Sequence, residues 1–403
     1  MRTQQILTEQ MLHKLFEQMR DGSFTVTYRS GKTECYGDGE PQFTIRFYDD
    51  NILGLITDDW LMSFGEAYMN GQVDVEGDLA DLMSLALRSG LMSITQKTQG
   101  FMGAALRAVG KLRSLKREKE NIAHHYDLGN DFFRLWLDES LTYSCAYFRN
   151  ASDTLDAAQR QKIEYSLRKL RLQPGETLLD IGCGWGALIM QAAERYGVKV
   201  TGITLSEEQY AEANAAITSR GLQDKADVQL MDYGTLAAEG KQFDKIVSIG
   251  MIEHIGKERL AEFAQTVKML LKPGSLALLH MITGVKEGQV NRWVVKYIFP
   301  GGYLPTLPEI ITHLSAQDFR VWDVENLAPH YRQTLDRWSN RFERVVPIVL
   351  EKFDERFVRM WRLYLRASSA LFREGVVEVH QILVSRGQPH NLPLTREDIY
   401  KEQ

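Results

Sequence analysis

Asp180-Ile181-Gly182-Cys183-Gly184-Trp185-Gly186 is the stretch on which the fold turns. It follows the apolar pair Leu178 and Leu179 and opens an amphipathic stretch over residues 187–196. Strand, glycine turn and helix in that order make the ligand-holding corner of a parallel α/β sheet, so the placement counts for more than the string. Gly182 and Gly184 permit the turn and the close approach of a ligand, and Asp180 is suited to ordering the loop or to meeting an amino group.

Downstream, apolar segments at residues 198–205, 227–231, 243–249 and 275–282 alternate with amphipathic ones. Together with a first strand at 177–181 they predict a doubly wound, Rossmann-like α/β sheet with helices on both faces. A last strand at 376–385, after a helical stretch rich in Trp, Phe and Arg, predicts an antiparallel edge. Between them, residues 284–318 carry Trp293, Tyr297, Phe299-Pro300-Gly301-Gly302, Tyr303 and Pro305, the length and aromatic content of an insertion that caps a pocket. Upstream, residues 1–98 read as a helix, short alternating strands (Phe24, Val26, Tyr28; Phe43, Ile45, Phe47) and more helix, which is a small α+β domain. Residues 99–120 form a basic linker, and 121–403 the domain that carries the glycine run.

A dinucleotide would use the same corner, but two features oppose it. The spacing is Gly-x-Gly-x-Gly, and no acid ends the second strand, where a ribose-binding Asp or Glu belongs. Thr204-Leu205-Ser206 stands there, with Gln209 one turn on and able to hold a ribose. The third strand ends in Asp232-Tyr233, an acid and an aromatic suited to the edge and face of an adenine. Each of these also has a structural reading, since Asp at a strand end serves as a turn or cap residue.

The ordered segments His125-Tyr126-Asp127, Asp131-Phe132-Phe133, Tyr143-Ser144-Cys145-Ala146-Tyr147-Phe148, the glycine run and Ser248-Ile249-Gly250-Met251-Ile252-Glu253-His254 carry a family resemblance. Leu279-His280, His330-Tyr331 and Thr334-Leu335 add to it, and Gly65-Glu66-Ala67-Tyr68-Met69-Asn70-Gly71 extends it into the first domain. The chain resembles the cyclopropane fatty acid synthases and the related mycolic acid cyclopropane synthases. That resemblance implies a class I methyltransferase fold and S-adenosylmethionine as methyl donor. The acceptor it implies is the cis double bond of an unsaturated acyl chain within a membrane phospholipid, and the ring closes when a proton leaves the new methyl group. Cofactor contacts then fall on Tyr143, Ser144, Asp180, Gly182, Gly184, Gly186, Thr204, Leu205, Gln209, Asp232, Tyr233 and Gly250. The resemblance further implies a bicarbonate ion as base, held by Cys145, Glu253, His280, Tyr331 and the backbone of Ile282. Carboxylate, imidazole, phenol and N–H groups match the donors and acceptors of such an ion. Ser368 stands where many relatives carry a cysteine, which removes that thiol from consideration.

An alkene cannot be activated by deprotonation, so alignment in a dry pocket must supply most of the acceleration. Phe132, Phe133, Trp136, Tyr147 and Phe148 are candidates to line an acyl channel and face a cation, with plain core packing as the alternative. Methyl addition without ring closure, or methylation of an amine, would use the same fold, but an amine acceptor needs no bicarbonate. A catalytically silent lipid-binding protein is opposed by the intact glycine run, Glu253 and His280. No metal is expected, because Glu253-His254 lacks a second His at helical spacing and the nine histidines are scattered.

The bulk properties narrow the setting. With 403 residues, 44% of them hydrophobic, the chain can build two cores. Three widely spaced cysteines, Cys35, Cys145 and Cys183, fit a reducing compartment. Residues 1–20 offer no unbroken apolar core, and no run of uncharged apolar residues is long enough to span a bilayer. A net charge of -5 gives no global attraction to nucleic acid or anionic lipid. A local one exists: Arg107, Lys111, Arg113, Lys116, Arg117 and Lys119 follow the apolar segment Phe101-Met102-Gly103-Ala104-Ala105-Leu106. That pattern suits a membrane surface or a solvated linker helix. The expectation is a cytoplasmic homodimer, peripherally attached to the inner face of the membrane, with unsaturated phospholipid and no nucleic acid as partner.

Overall fold

The computed structural model describes residues 2–19, 21–49, 60–90, 128–287, 290–389 and 392–400. The basic stretch 107–119 and His125-Tyr126-Asp127 lie outside the described residues. By backbone proximity the chain groups into two units: residues 1–114, 291–298 and 335–376 in one, and 115–290, 299–334 and 377–403 in the other.

The larger unit is built on strands β5 (Thr177–Ile181), β6 (Lys199–Thr204), β7 (Ala226–Leu230), β8 (Phe243–Ile249), β9 (Leu271–Gly284), β10 (Phe319–Asn326) and β11 (Val377–Arg386). Their spatial order is β10-β11-β9-β8-β5-β6-β7, parallel from β9 to β7. β11 runs antiparallel to both β9 and β10. The antiparallel strand expected at 376–385 is thus β11, and β10, not anticipated, continues the sheet beyond it. Adjacent residues in each central strand point to opposite faces. Leu179, Ile246, Leu279 and Ile382 enter one core with helices α9 (Leu260–Leu270) and α11 (Leu307–Ala316). Leu178, Val247, Leu278 and Leu383 enter another with α5 (Leu155–Leu170), α6 (Ala187–Tyr196) and α7 (Glu207–Ser219). Covering both faces explains why these strands are apolar throughout and do not alternate. Helix starts are fixed by side chains: Ser206 caps α7, and Thr306 with Glu309 forms a reciprocal capping box on α11.

In the smaller unit, β1 (Phe24–Thr27), β2 (Thr33–Tyr36), β3 (Thr44–Phe47) and β4 (Val73–Glu76) form a sheet in the order β2-β1-β3-β4. Its helices include α2 (Trp60–Met69), α3 (Leu79–Arg88), α10 (Arg292–Tyr297) and α13 (Glu355–Arg373). The segment Gly65 to Gly71 is the socket that holds α10 and α13. Glu66 accepts from Lys296 Nζ at 2.6 Å and Tyr297 Oη at 2.7 Å, the Tyr68 carbonyl accepts from Arg359, and Asn70 Oδ1 accepts from Arg356 at 3.0 Å.

Gly65 leaves room for an indole. A Cβ there would stand 2.5 Å from Trp293 Cδ1 and Nε1, closer than real Cβ contacts come. Helix propensity favours alanine over glycine by about 1 kcal/mol, whereas overpacking costs about 1–3 kcal/mol. Gly65→Ala is therefore expected to lower the unfolding free energy by about 1 kcal/mol net. Urea denaturation reads this, and a stabilised variant would contradict it.

Candidate active site

The glycine run closes the corner between β5 and α6. Gly182 (φ +83°), Gly184 (φ +55°) and Gly186 (φ +83°) all take the left-handed backbone that side chains resist. The N–H groups of Gly182 and Cys183 both donate to the Ile203 carbonyl, at 3.0 and 3.1 Å, which pins the loop to β6. Cys183 is buried and packs against Gly202, where a Cβ would come within 2.9 Å of its Sγ. Its thiol is therefore a packing element.

A cleft opens over this loop at the C-terminal ends of the parallel strands, where such sheets bind ligands. Tyr143, Ser144, Asp180, Gly182, Gly184, Thr204, Leu205, Gln209, Asp232, Tyr233 and Gly250 all line it, with Trp185 and His254. Of the expected cofactor residues only Gly186 is outside the lining; it caps α6 and sits against Ala213. The Thr204 hydroxyl donates to Gln209 Oε1 at 2.8 Å, which commits the amide's acceptor and leaves its NH2 for a ribose hydroxyl. Asp232 is a helix cap, its Oδ1 accepting the Gly234 N–H at 2.8 Å, and its Oδ2 is buried with no protein partner. An exocyclic amine fits that second oxygen.

Phe132, Phe133 and Trp136 are fully buried and pack against one another with ring centroids 5.5 to 6.0 Å apart. Tyr143 packs on Phe133 at 5.4 Å and on Trp136 at 5.5 Å, so these aromatics shape the wall that holds Tyr143. Tyr147 stacks between Tyr165 (4.3 Å) and His330 (4.5 Å).

The expected ion-binding residues fall in two groups. Glu253 lies in a 3-10 turn after β8, and its Oε1 accepts the Ile282 N–H at 2.7 Å. The Ile282 N–H thus anchors the carboxylate. Glu253 Oε2 and His280 Nε2 are both buried without a protein partner. Burial pushes the Glu253 carboxyl up to about 7, against the pull of the Ile282 hydrogen bond, and holds His280 well below its ordinary value, so the imidazole is neutral. In the second group, the Cys145 thiol donates to the Ala146 carbonyl at 3.2 Å and lies 3.9 Å from the Leu327 carbonyl, which also accepts the Tyr331 N–H. Burial raises the Cys145 thiol, which stays protonated and unreactive as a nucleophile.

Lys162 connects the cleft to these groups and has no sequence motif to announce it. It is 3% exposed, donates to Ser144 Oγ at 3.0 Å and lines the cleft. Burial lowers it to about 8, opposed by the charges of Asp138 and Asp180; it acts in turn on His280. Asp180 is raised to about 7 by burial, opposed by Lys162. A second link is backbone: Gly250 N–H donates to the His280 carbonyl at 2.9 Å.

A doubly covered parallel sheet with its antiparallel strand, and a glycine corner beneath a cleft of this composition, define a class I S-adenosylmethionine-dependent methyltransferase. Comparison with known proteins carries this further. The family described as mycolic acid cyclopropane synthetase matches residues 113–382, and a domain of unknown function matches 11–98. Cyclopropane-fatty-acyl-phospholipid synthase of Escherichia coli strain K12 is 37% identical over 88% of this chain and 89% of its own length. A probable fatty acid methyltransferase of Pseudomonas putida is 37% identical over 90% of this chain and 92% of its own. The mycolic acid cyclopropane synthase CmaA1 complexed with SAH and CTAB superposes with a TM-score of 0.63 at 37% identity, over 68% of this chain and 99% of that one. The chain belongs to the cyclopropane synthase family.

Proposed function

We propose that this enzyme is a cyclopropane-fatty-acyl-phospholipid synthase, transferring a methylene group from S-adenosylmethionine to the cis double bond of unsaturated acyl chains in membrane phospholipids. The observation that carries the reading is the pair of orphaned buried atoms, Glu253 Oε2 and His280 Nε2. Unpartnered buried polar atoms are costly, and an acceptor and a nitrogen each left in this way match the donor and acceptor needs of a small oxyanion. Bicarbonate, when held there, supplies the base that takes the proton from the transferred methyl carbon. The chain's own part is to bind and orient. Glu253 as a carboxylate accepts the ion's O–H, His280 donates to another oxygen, and the Ile282 N–H keeps the carboxylate aimed. Cys145 and Tyr331, whose thiol and backbone N–H both lie against the Leu327 carbonyl, complete the proposed set. An amine acceptor attacks with its own lone pair and needs no such ion.

The cleft residues take the cofactor: Gln209 the ribose, Asp232 and Tyr233 the adenine, Asp180 the ammonium, and Tyr143, Ser144 and Gly250 the part nearest the sulfonium. Asp180, poised at about 7, is half protonated at neutral pH. A ligand ammonium beside it lowers that value. S-adenosylmethionine binding at pH 7 is therefore expected to release about half a proton. Titration calorimetry in two buffers of different ionisation enthalpy measures this. The release disappears in Asp180→Asn, and a binding enthalpy that ignores the buffer would remove Asp180 from the ammonium site.

Residues 1–98 and the basic stretch 99–120 are assigned to docking on the lipid surface or to dimerisation at the inner face of the membrane. Six cations within residues 107–119, in a chain of net charge -5, support that assignment. Among the described residues no helix is long and apolar enough to cross a membrane. The substrate form is tested by supplying oleoyl phospholipid vesicles, free oleate and a benzylic amine in parallel. Modification of the vesicle lipid ahead of the other two supports the reading; preferred methylation of the amine overturns it.

A further inference from the structure

His280 bears on the proposed ion through Nε2, and whether that nitrogen offers a proton or a lone pair decides what it can hold. The answer lies in a chain of hydrogen bonds behind it. Ser166 Oγ on α5 donates to the Lys162 carbonyl at 2.9 Å, so its one proton is committed and toward any other neighbour it can only accept. What it accepts is the side-chain N–H of Gln381, at 3.2 Å. The same NH2 group lies 3.1 Å from His280 Nδ1. A flipped amide would set its carbonyl oxygen against Ser166 Oγ, acceptor against acceptor, inside a core where Ser166 and Gln381 are fully buried.

Register brings these groups together. Gln381 on β11 is the direct antiparallel partner of His280 on β9, so their side chains leave the same face of the sheet side by side. The antiparallel strand, which the parallel sheet does not need for its cofactor corner, delivers the amide.

We propose that Gln381 is a positioning residue: held by Ser166, its amide donates to His280 Nδ1 and fixes the imidazole as the Nε2–H tautomer, so that the ion pocket meets a hydrogen-bond donor. This deepens the reading above and rests on it for the identity of the ion. Burial adds to the effect, since it keeps His280 from taking a second proton and becoming a donor on both sides. Glu253 and His280 then divide the work, one accepting from the ion and the other donating to it.

The test uses the full chain labelled with 15N-histidine, with His280 assigned by its loss in His280→Gln. Long-range 1H–15N correlations of the wild type are expected to show a protonated Nε2 and an unprotonated Nδ1. Gln381→Glu offers an acceptor where the donor stood and is expected to move the proton to Nδ1. The KM for bicarbonate, measured in carbon-dioxide-depleted buffer, then rises about tenfold or more while the KM for S-adenosylmethionine stays within about twofold. If a buried carboxylate prevents folding, Gln381→Met removes the donor without charge, and both tautomers appear in its spectrum. A protonated Nδ1 in the wild type overturns the proposal, as does a reversed tautomer that leaves the bicarbonate KM unchanged. A wild type whose turnover ignores bicarbonate would sink the ion reading alone, with the spectrum still deciding the role of Gln381.

Discussion

Glu253→Gln is expected to lower kcat by about 10³-fold while leaving S-adenosylmethionine affinity within about twofold, because the loss is that of a positioned base. The substitution keeps the size and the acceptor for the Ile282 N–H, held at 2.7 Å in the wild type, but places an NH2 or a neutral carbonyl where a carboxylate oxygen must accept the ion's proton. The pH profile gives the same group a second signature. Its ionisation lies at about 7, raised by burial, so below that pH it holds a proton and cannot accept one. Activity should therefore fall on the acid side of pH 7, with Asp180, at about 7, adding a second proton to the limb through cofactor binding. Either saturating cofactor, whose ammonium lowers Asp180, or the Asp180→Asn substitution should leave the limb with a slope of one. Single-turnover kinetics on vesicle substrate measures both effects. Full activity in Glu253→Gln would remove the carboxylate from proton transfer.

Gly184→Val should abolish cofactor binding without unfolding the chain. Gly184 holds φ +55°, and a Cβ there meets nothing within 4 Å, so the added side chain projects toward the open cleft. Left-handed strain at a β-branched residue costs about 1–3 kcal/mol, and the methyl groups add steric exclusion of the ligand. A weakening of S-adenosylmethionine binding by about 100-fold or more is the result. Calorimetry reads the affinity and thermal denaturation checks the fold. The contrast is Gly202, where a Cβ would come 2.1 Å from Ile189 Cδ1 and 2.9 Å from Cys183; there a side chain breaks packing instead of binding. A Gly184→Val chain that binds cofactor normally would mean the loop does not hold it.

The cofactor corner was legible because every signal there is local. Leu178 to Trp185 spells strand, turn and loop in eight residues, and the expected strands at 177–181 and 243–249 coincide with β5 and β8. β10 was not, because its alternation is broken: the pairing with β11 slips between Val321 and Asp323, and Val321, Trp322 and Val324 face outward. β2 was missed for a similar reason, since Thr33-Glu34-Cys35-Tyr36 buries only Tyr36. Three late elements, α10, the end of the helix Ala328–Val349, and α13, group with the N-terminal residues, which no linear pattern announces. At the site, Glu253 and His280 came from resemblance. The Ile282 backbone came from the same resemblance, and its N–H donates to Glu253 Oε1. Lys162 and Gln381 were invisible: a lysine in an amphipathic helix and a glutamine in a strand carry no message until register sets one beside Ser144 and the other beside His280.

The transferred methyl group becomes a ring carbon in the proposed reaction, and one isotope count tests this. S-adenosylmethionine bearing a trideuterated methyl group is incubated with oleoyl phospholipid vesicles, and the released acids are weighed by mass spectrometry. Ring closure discards one of the three deuterons, so the expected product has gained one carbon and two deuterons and has lost its olefin. A product that retains all three deuterons would be a methyl branch, and would contradict it.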